Sequence, residues 1–122
     1  MSYEFKLDNK NETIEVEYLG NINFEERMQA IKEGVVILKD REYSKILINL
    51  VGAKMNISSS EKVELANYIA AEHALIKAKT AFLIRCEQTA KEEVDEAVLR
   101  ADDFISQVFF SRTSAVNWLN NE

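Results

Sequence analysis

Two short runs that are apolar on both faces constrain this chain most: Lys45-Ile46-Leu47-Ile48-Asn49-Leu50-Val51 and Thr80-Ala81-Phe82-Leu83-Ile84. An alternating pattern needs cover on one side only. A continuous one needs cover on both, as in the centre of a sheet layered with helices. Strands of this kind, alternating with helical segments, pair in parallel through right-handed crossovers. Proline is absent and only three glycines are present, so element boundaries must come from periodicity and caps rather than from breakers.

The N-terminal part follows a different rule. Tyr3, Phe5 and Leu7 alternate with Glu4, Lys6 and Asp8, and Ile14, Val16 and Tyr18 alternate with Glu15 and Glu17. Period two marks half-buried strands, and the polar stretch from Asp8 to Glu12 joins them as an antiparallel hairpin. On this reading Glu15 and Glu17 belong to a wet, acidic face. Asn23, Ser58 and Thr89 are each followed three residues later by Glu26, Glu61 and Glu92, the spacing of a capping box that opens a helix. The helical stripes are Phe24, Met28, Ile31, Val35 and Leu38 in the first. Val63, Ala66, Ile69, Ala70, His73 and Ile76 form the second, and Val94, Ala97, Val98 and Ala101 the third. Gly34 inside the first helix points to close backbone packing. The run Phe104–Phe110 makes a further strand, and Thr113 or Ser114 caps a last helix carrying Ala115, Val116, Trp118 and Leu119. The predicted order is β-β-α-β-α-β-α-β-α. The fold class is α/β, a mixed central sheet with an N-terminal antiparallel hairpin, then β-α repeats with helices packed against it.

Length and charge narrow the function. At 122 residues the chain is expected to form one domain over residues 1–122. Fifteen basic against twenty-one acidic residues give a net charge of −6, which argues against gripping nucleic acid. No stretch approaches the length of a membrane span, and a cytoplasmic location is expected. One cysteine, Cys86, and one histidine, His73, cannot assemble a disulfide or a Cys–His zinc site. His73 reads as a packed or partly exposed side chain and Cys86 as a small buried thiol. Gly20, Gly34 and Gly52 are too far apart for a phosphate-cradling loop. The neighbouring pairs Glu25-Glu26, Glu92-Glu93 and Asp102-Asp103 point in different directions from a helix, so they make no acid/base pair. No catalytic residue, cofactor or metal site is expected.

The segment from Asn49 to Glu61 holds the most chemistry. It joins a central strand to a capped helix, where function collects in open α/β sheets. Ser58, Ser59 and Ser60 at the helix start can serve as caps. Beyond that plainer role they could hold an anion or accept a phosphate, with Lys54 and Lys62 adding positive charge.

Here the chain resembles the STAS superfamily, the fold of bacterial anti-sigma-factor antagonists, and its small SpoIIAA-like branch. That family has an Asp-Leu-x-Gly-like turn after a buried strand and a helix beginning Asp-Ser-Ser-Gly. This chain has Asn49-Leu50-Val51-Gly52 and Ile57-Ser58-Ser59-Ser60, with Val108-Phe109-Phe110-Ser111 and Ala115-Val116-Asn117-Trp118-Leu119 similar to the family's tail. Asn49, Ile57 and Ser60 depart from it. The resemblance places Ser58 on the family's phosphorylated serine. It implies a non-enzymatic interaction domain presenting Lys54, Asn56, Ser58, Ser59 and Ser60 to a protein partner, an anti-sigma or kinase-like regulator. Because SpoIIAA-like chains are similar in fold to CRAL-TRIO lipid-transfer domains, an alternative is an apolar ligand pocket lined by Phe24, Met28, Phe104, Phe109 and Trp118. The edge of the hairpin leaves a homodimer open, although Glu4, Lys6, Glu15 and Glu17 discourage edge pairing.

Overall fold

The computed structural model describes residues 2–85 and 105–121. The predicted third helix from Thr89, with Cys86 and Phe104, lies outside the described residues. Strands β1 (Tyr3–Asp8) and β2 (Thr13–Tyr18) form the expected antiparallel hairpin, with Phe5 opposite Val16. The remaining main strands, β4 (Lys45–Asn49), β6 (Lys79–Leu83) and β7 (Ser106–Phe109), follow in parallel. The five-stranded order is β1-β2-β4-β6-β7, in line with the expected mixed α/β sheet.

A second sheet is not legible in the sequence. Gly20–Ile22 (β3) and Ala53–Met55 (β5) pair in parallel, Asn21 beside Lys54. Each is three residues long, too short to show a period. The connection after β4 is therefore not an open loop but is stitched back to the segment after β2.

Helix α1 (Phe24–Arg41) opens with the predicted capping box: Glu26 N–H donates to Asn23 Oδ1 at 2.8 Å, and Asn23 N–H to Glu26 Oε1 at 3.1 Å. Its buried face is turned from the expected one. Arg27, Ala30, Gly34, Val35 and Leu38 are buried, while Phe24, Met28 and Ile31 are only half-buried. Gly34 is not held by close backbone approach, because an added Cβ would meet Phe5 Cε1 at 3.7 Å, an ordinary contact.

The second predicted helix is two. Helix α2 (Ser59–Ala71) ends where Glu72 takes an extended conformation, and α3 (His73–Ile76) restarts beyond it. The break resets the stripe. Leu65, Ala66, Ile69 and Leu75 are buried, whereas Val63 is 56% exposed and Ala70 and His73 face water. The last helix, α4 (Arg112–Asn120), is capped earlier than expected, by Ser111 accepting from Ser114 N–H at 3.4 Å.

Strand alternation sorts these helices onto two faces. Ile14, Val16, Tyr18, Ile46, Ile48 and Phe82 share one cavity wall with α1, α2 and α3 residues. Leu47, Ala81 and Leu83 pack with Ala115 and Leu119 of α4 on the other. That second face also carries Glu15, which is 6% exposed. The hairpin's acidic face is thus only partly wet, because α4 returns across it.

Candidate functional site

The parallel strands β2, β4 and β6 end on one edge of the sheet, and the chain after β4 is pinned there. Leu50 N–H donates to Leu83 O at 2.9 Å, and Ala53 N–H closes a turn onto Leu50 O at 3.1 Å. Asn49 organises the turn from within. Its Oδ1 accepts from Val51 N–H at 3.1 Å, a side-chain mimic of a backbone turn. Its Nδ2 donates to Glu15 Oε2 at 3.2 Å. The Arg85 guanidinium donates to Val51 O, and Gly20 N–H donates to Gly52 O at 2.9 Å. A side chain at Gly52 would put a Cβ 3.0 Å from Leu19 Cδ2, so this glycine admits a close approach.

From that turn β5 leads to Asn56, whose N–H donates to Ile22 O at 2.8 Å. Lys54 and Asn56 are exposed. Ser58 then caps α2 in a full capping box: its Oγ accepts from Glu61 N–H at 3.2 Å, and its N–H donates to Glu61 Oε1 at 2.9 Å. Ser60 Oγ lies 3.2 Å from Ser58 Oγ. Ser58, Ser59 and Ser60 are all exposed. The structure therefore brings the five residues Lys54, Asn56, Ser58, Ser59 and Ser60 into one exposed stretch at a helix start, where free N–H groups favour negative charge.

The apolar candidates are not brought together. Phe24 and Met28 line a shallow groove of about 340 Å³ along α1 with Gln29, Lys32 and Glu33. Phe109 and Trp118 meet on the α4 face, their rings 5.6 Å apart, with Lys79 Nζ 4.4 Å from the Trp118 ring centre. Among the described residues no group of three His, Cys, Asp or Glu side chains could hold a metal ion, and no described helix is long and apolar enough to cross a membrane.

Sequence reasoning does not find the cluster of Glu15, Asn49 and Arg112. Arg112, at the start of α4, places its guanidinium fork on Glu15, with Nη1 3.1 Å from Oε2 and Nη2 on Oε1. Burial pushes the Glu15 pKa up, but the hydrogen bonds from Arg112 and Asn49 outweigh it and leave it below the ordinary glutamate value. The same pair raises Arg112 above the usual arginine value. No local pattern announces this cluster, because Glu15 and Arg112 lie 97 residues apart.

No family model matches the chain, and no curated protein matches it in sequence. Solved structures do match. The unphosphorylated form of the anti-sigma factor antagonist SpoIIAA aligns over 98% of this chain and 99% of its own, at 12% identity with a TM-score of 0.63. An uncharacterised DUF3478 protein of Shewanella loihica PV-4 aligns over 96% of this chain and 91% of its own, at 13% identity with a TM-score of 0.54. The hairpin, the parallel strands and the helices on both faces make the SpoIIAA-like fold.

Proposed function

We propose that this chain is a non-enzymatic regulatory domain that engages a protein partner through the β4–α2 connection and the start of α2, and that phosphorylation of Ser58 switches the engagement. One observation carries the reading: Ser58 is exposed, and its hydroxyl is the hydrogen-bond acceptor that starts α2. A phosphate there would add close to two negative charges. It would gain from the helix N-terminus and be opposed by the Glu61 carboxylate that closes the capping box. The modification would thus remake the cap and change the charge of an exposed surface in one event. The fold shared with SpoIIAA supports a regulatory role. The partner class follows that resemblance, an anti-sigma or kinase-like regulator, and the domain acts in the cytoplasm as one unit over residues 1–122 without cofactor.

Intact native mass spectrometry of protein purified from its own host tests the switch. A phosphate mapped to Ser58 by fragmentation, with Ser58→Asp weakening the binding of a co-purified partner in calorimetry, is the expected result. An unmodified chain together with unchanged partner affinity of Ser58→Asp would overturn it.

A further inference from the structure

Strand β1 ends the sheet, with β2 on one side and, among the described residues, no strand on the other. The hairpin register says which of its backbone groups are left over. Leu19 N–H donates to Ser2 O at 2.7 Å, and the same register runs on through Glu4 opposite Glu17 and Lys6 opposite Glu15. In an antiparallel ladder, residues bonded to the neighbouring strand alternate with residues whose N–H and C=O turn away from it. The backbone of Ser2, Glu4, Lys6 and Asp8 therefore faces β2, and that of Tyr3, Phe5 and Leu7 points out along the open edge. Such an edge is a template for one more strand.

The side chains limit what that strand can be. Glu4 stands directly opposite Glu17, a like-charged pair that weakens a ladder. Lys6 Nζ answers Glu17 at 3.1 Å, whereas Glu4 has no ion pair among the described residues. On the other face of the strand, Phe5 is half-buried and Leu7 is 41% exposed. The edge thus offers an uncompensated acid, an accessible base and an apolar row.

A second copy of the chain supplies the complement. Outward-facing residues must meet outward-facing residues, so a two-fold axis that overlaps most of the strand falls at Glu4, Phe5 or Lys6. An axis at Glu4 sets that acid against itself. An axis at Lys6 sets the lysine against itself and Glu4 against Asp8. An axis at Phe5 sets Glu4 against Lys6 of the second copy at both symmetry-related positions, Tyr3 against Leu7, and Phe5 against Phe5. The Glu4–Lys6 contacts then fall at the non-hydrogen-bonded positions, where facing side chains lie closest. The ammonium has three donors, enough for Glu17 in its own chain and Glu4 across the axis. The charges that guard the edge against indiscriminate pairing select this one register.

We infer that β1 pairs with β1 of a second copy, antiparallel about a two-fold axis at Phe5, joining two five-stranded sheets into one. Sedimentation equilibrium of the whole chain, from about 10 µM to about 1 mM, tests the pairing. A reversible monomer–dimer equilibrium is expected. Glu4→Lys and Lys6→Glu each place like charges at both contacts and should weaken the dimer by about ten-fold. Mixed in equal amounts, the two variants meet with opposite charges at both contacts, so a heterodimer of wild-type strength should form. The chain carrying both substitutions should regain self-association, which keeps the test open if a single variant does not fold. Dimerisation through any other surface would not show this reciprocal rescue. A wild type that stays monomeric at about 1 mM, single variants that dimerise as tightly as the wild type, or failure of both the mixture and the double variant to recover would overturn the pairing.

Discussion

On the α4 face of the sheet Glu15 is buried under a bidentate arginine and an asparagine; on the α1 face Arg27 is buried beside a tyrosine and, among the described residues, no acid. Both charges sit on or against the same five-stranded sheet, yet their surroundings give them opposite meanings. Glu15 has donors for both oxygens, and they come from α4 and from Asn49 at the end of β4. Its burial ties the last helix and the candidate site's turn to the central strands. Arg27 has a donor left over and an apolar cavity beside it. A satisfied buried charge acts as a clamp, and an unsatisfied one marks a place where something is missing.

The largest effect should come from opening the clamp. Arg112→Met leaves a buried carboxylate held only by Asn49. Breaking a fully buried pair from one side costs roughly 3–5 kcal/mol. The Arg112 side chain is 53% exposed, so solvent shares its charge and the expected loss falls to about 2 kcal/mol. Urea unfolding measures it, and a loss no larger than that of an exposed surface pair would mean the two faces do not differ.

Acid should probe the same clamp from the carboxylate side. The Glu15 pKa is lowered in the folded protein, so the stability it contributes is present above the ordinary glutamate value of 4.5. It is lost as pH falls through the lower folded value. Asp8 and Glu26 are lowered too, by hydrogen bonds from Asn11 to Asp8 and from Ser2 to Glu26. The sharper experiment therefore compares the wild type with Glu15→Gln below pH 4.5, where the variant should lose less stability per pH unit. Parallel acid profiles would assign the whole dependence to the exposed carboxylates.

Arg27→Met should behave in the reverse sense to Arg112→Met. Exchanging a buried ion for an apolar side chain of similar length is commonly neutral or stabilising. The exchange also removes the attraction between the guanidinium and the Tyr18 ring, which trims the benefit. A gain of up to about 1 kcal/mol is expected. A decrease comparable to that of Arg112→Met would show that Arg27 is satisfied in solution and would dissolve the contrast between the faces.

This contrast is the least legible part of the chain, and the reason is distance in sequence. The hairpin, the buried central strands and two capping boxes rest on local patterns of the sequence, and they appear where the pattern puts them. Whether Glu15 is wet or dry depends on α4, which follows nearly a hundred residues later. Alternation alone puts every glutamate of β2 on the water side. Arg27 escapes a sequence reading because a charged residue beside an apolar stripe looks like its border, whereas Ala30 and Gly34 are small enough to turn that border toward the sheet. The helix break at Glu72 carries no glycine or proline, so the periodic stripe runs on through His73 where the helix itself stops. At the candidate site the cap at Ser58 and the exposed serines are legible, and the β3–β5 pairing that holds the preceding segment is not.

The smallest predicted effect joins both halves of the comparison. Gly34 lines the same cavity as Arg27, and the position where its Cβ would stand is 3.7 Å from Phe5. Alanine there restricts the unfolded chain and suits a helix interior better, with a gain of about 0.5–1 kcal/mol. The added methyl also takes space from a cavity of about 50 Å³. Gly34→Ala should therefore raise the unfolding midpoint in thermal or urea unfolding. Lower stability would mean that α1 sits closer to β1 than the Phe5 distance indicates.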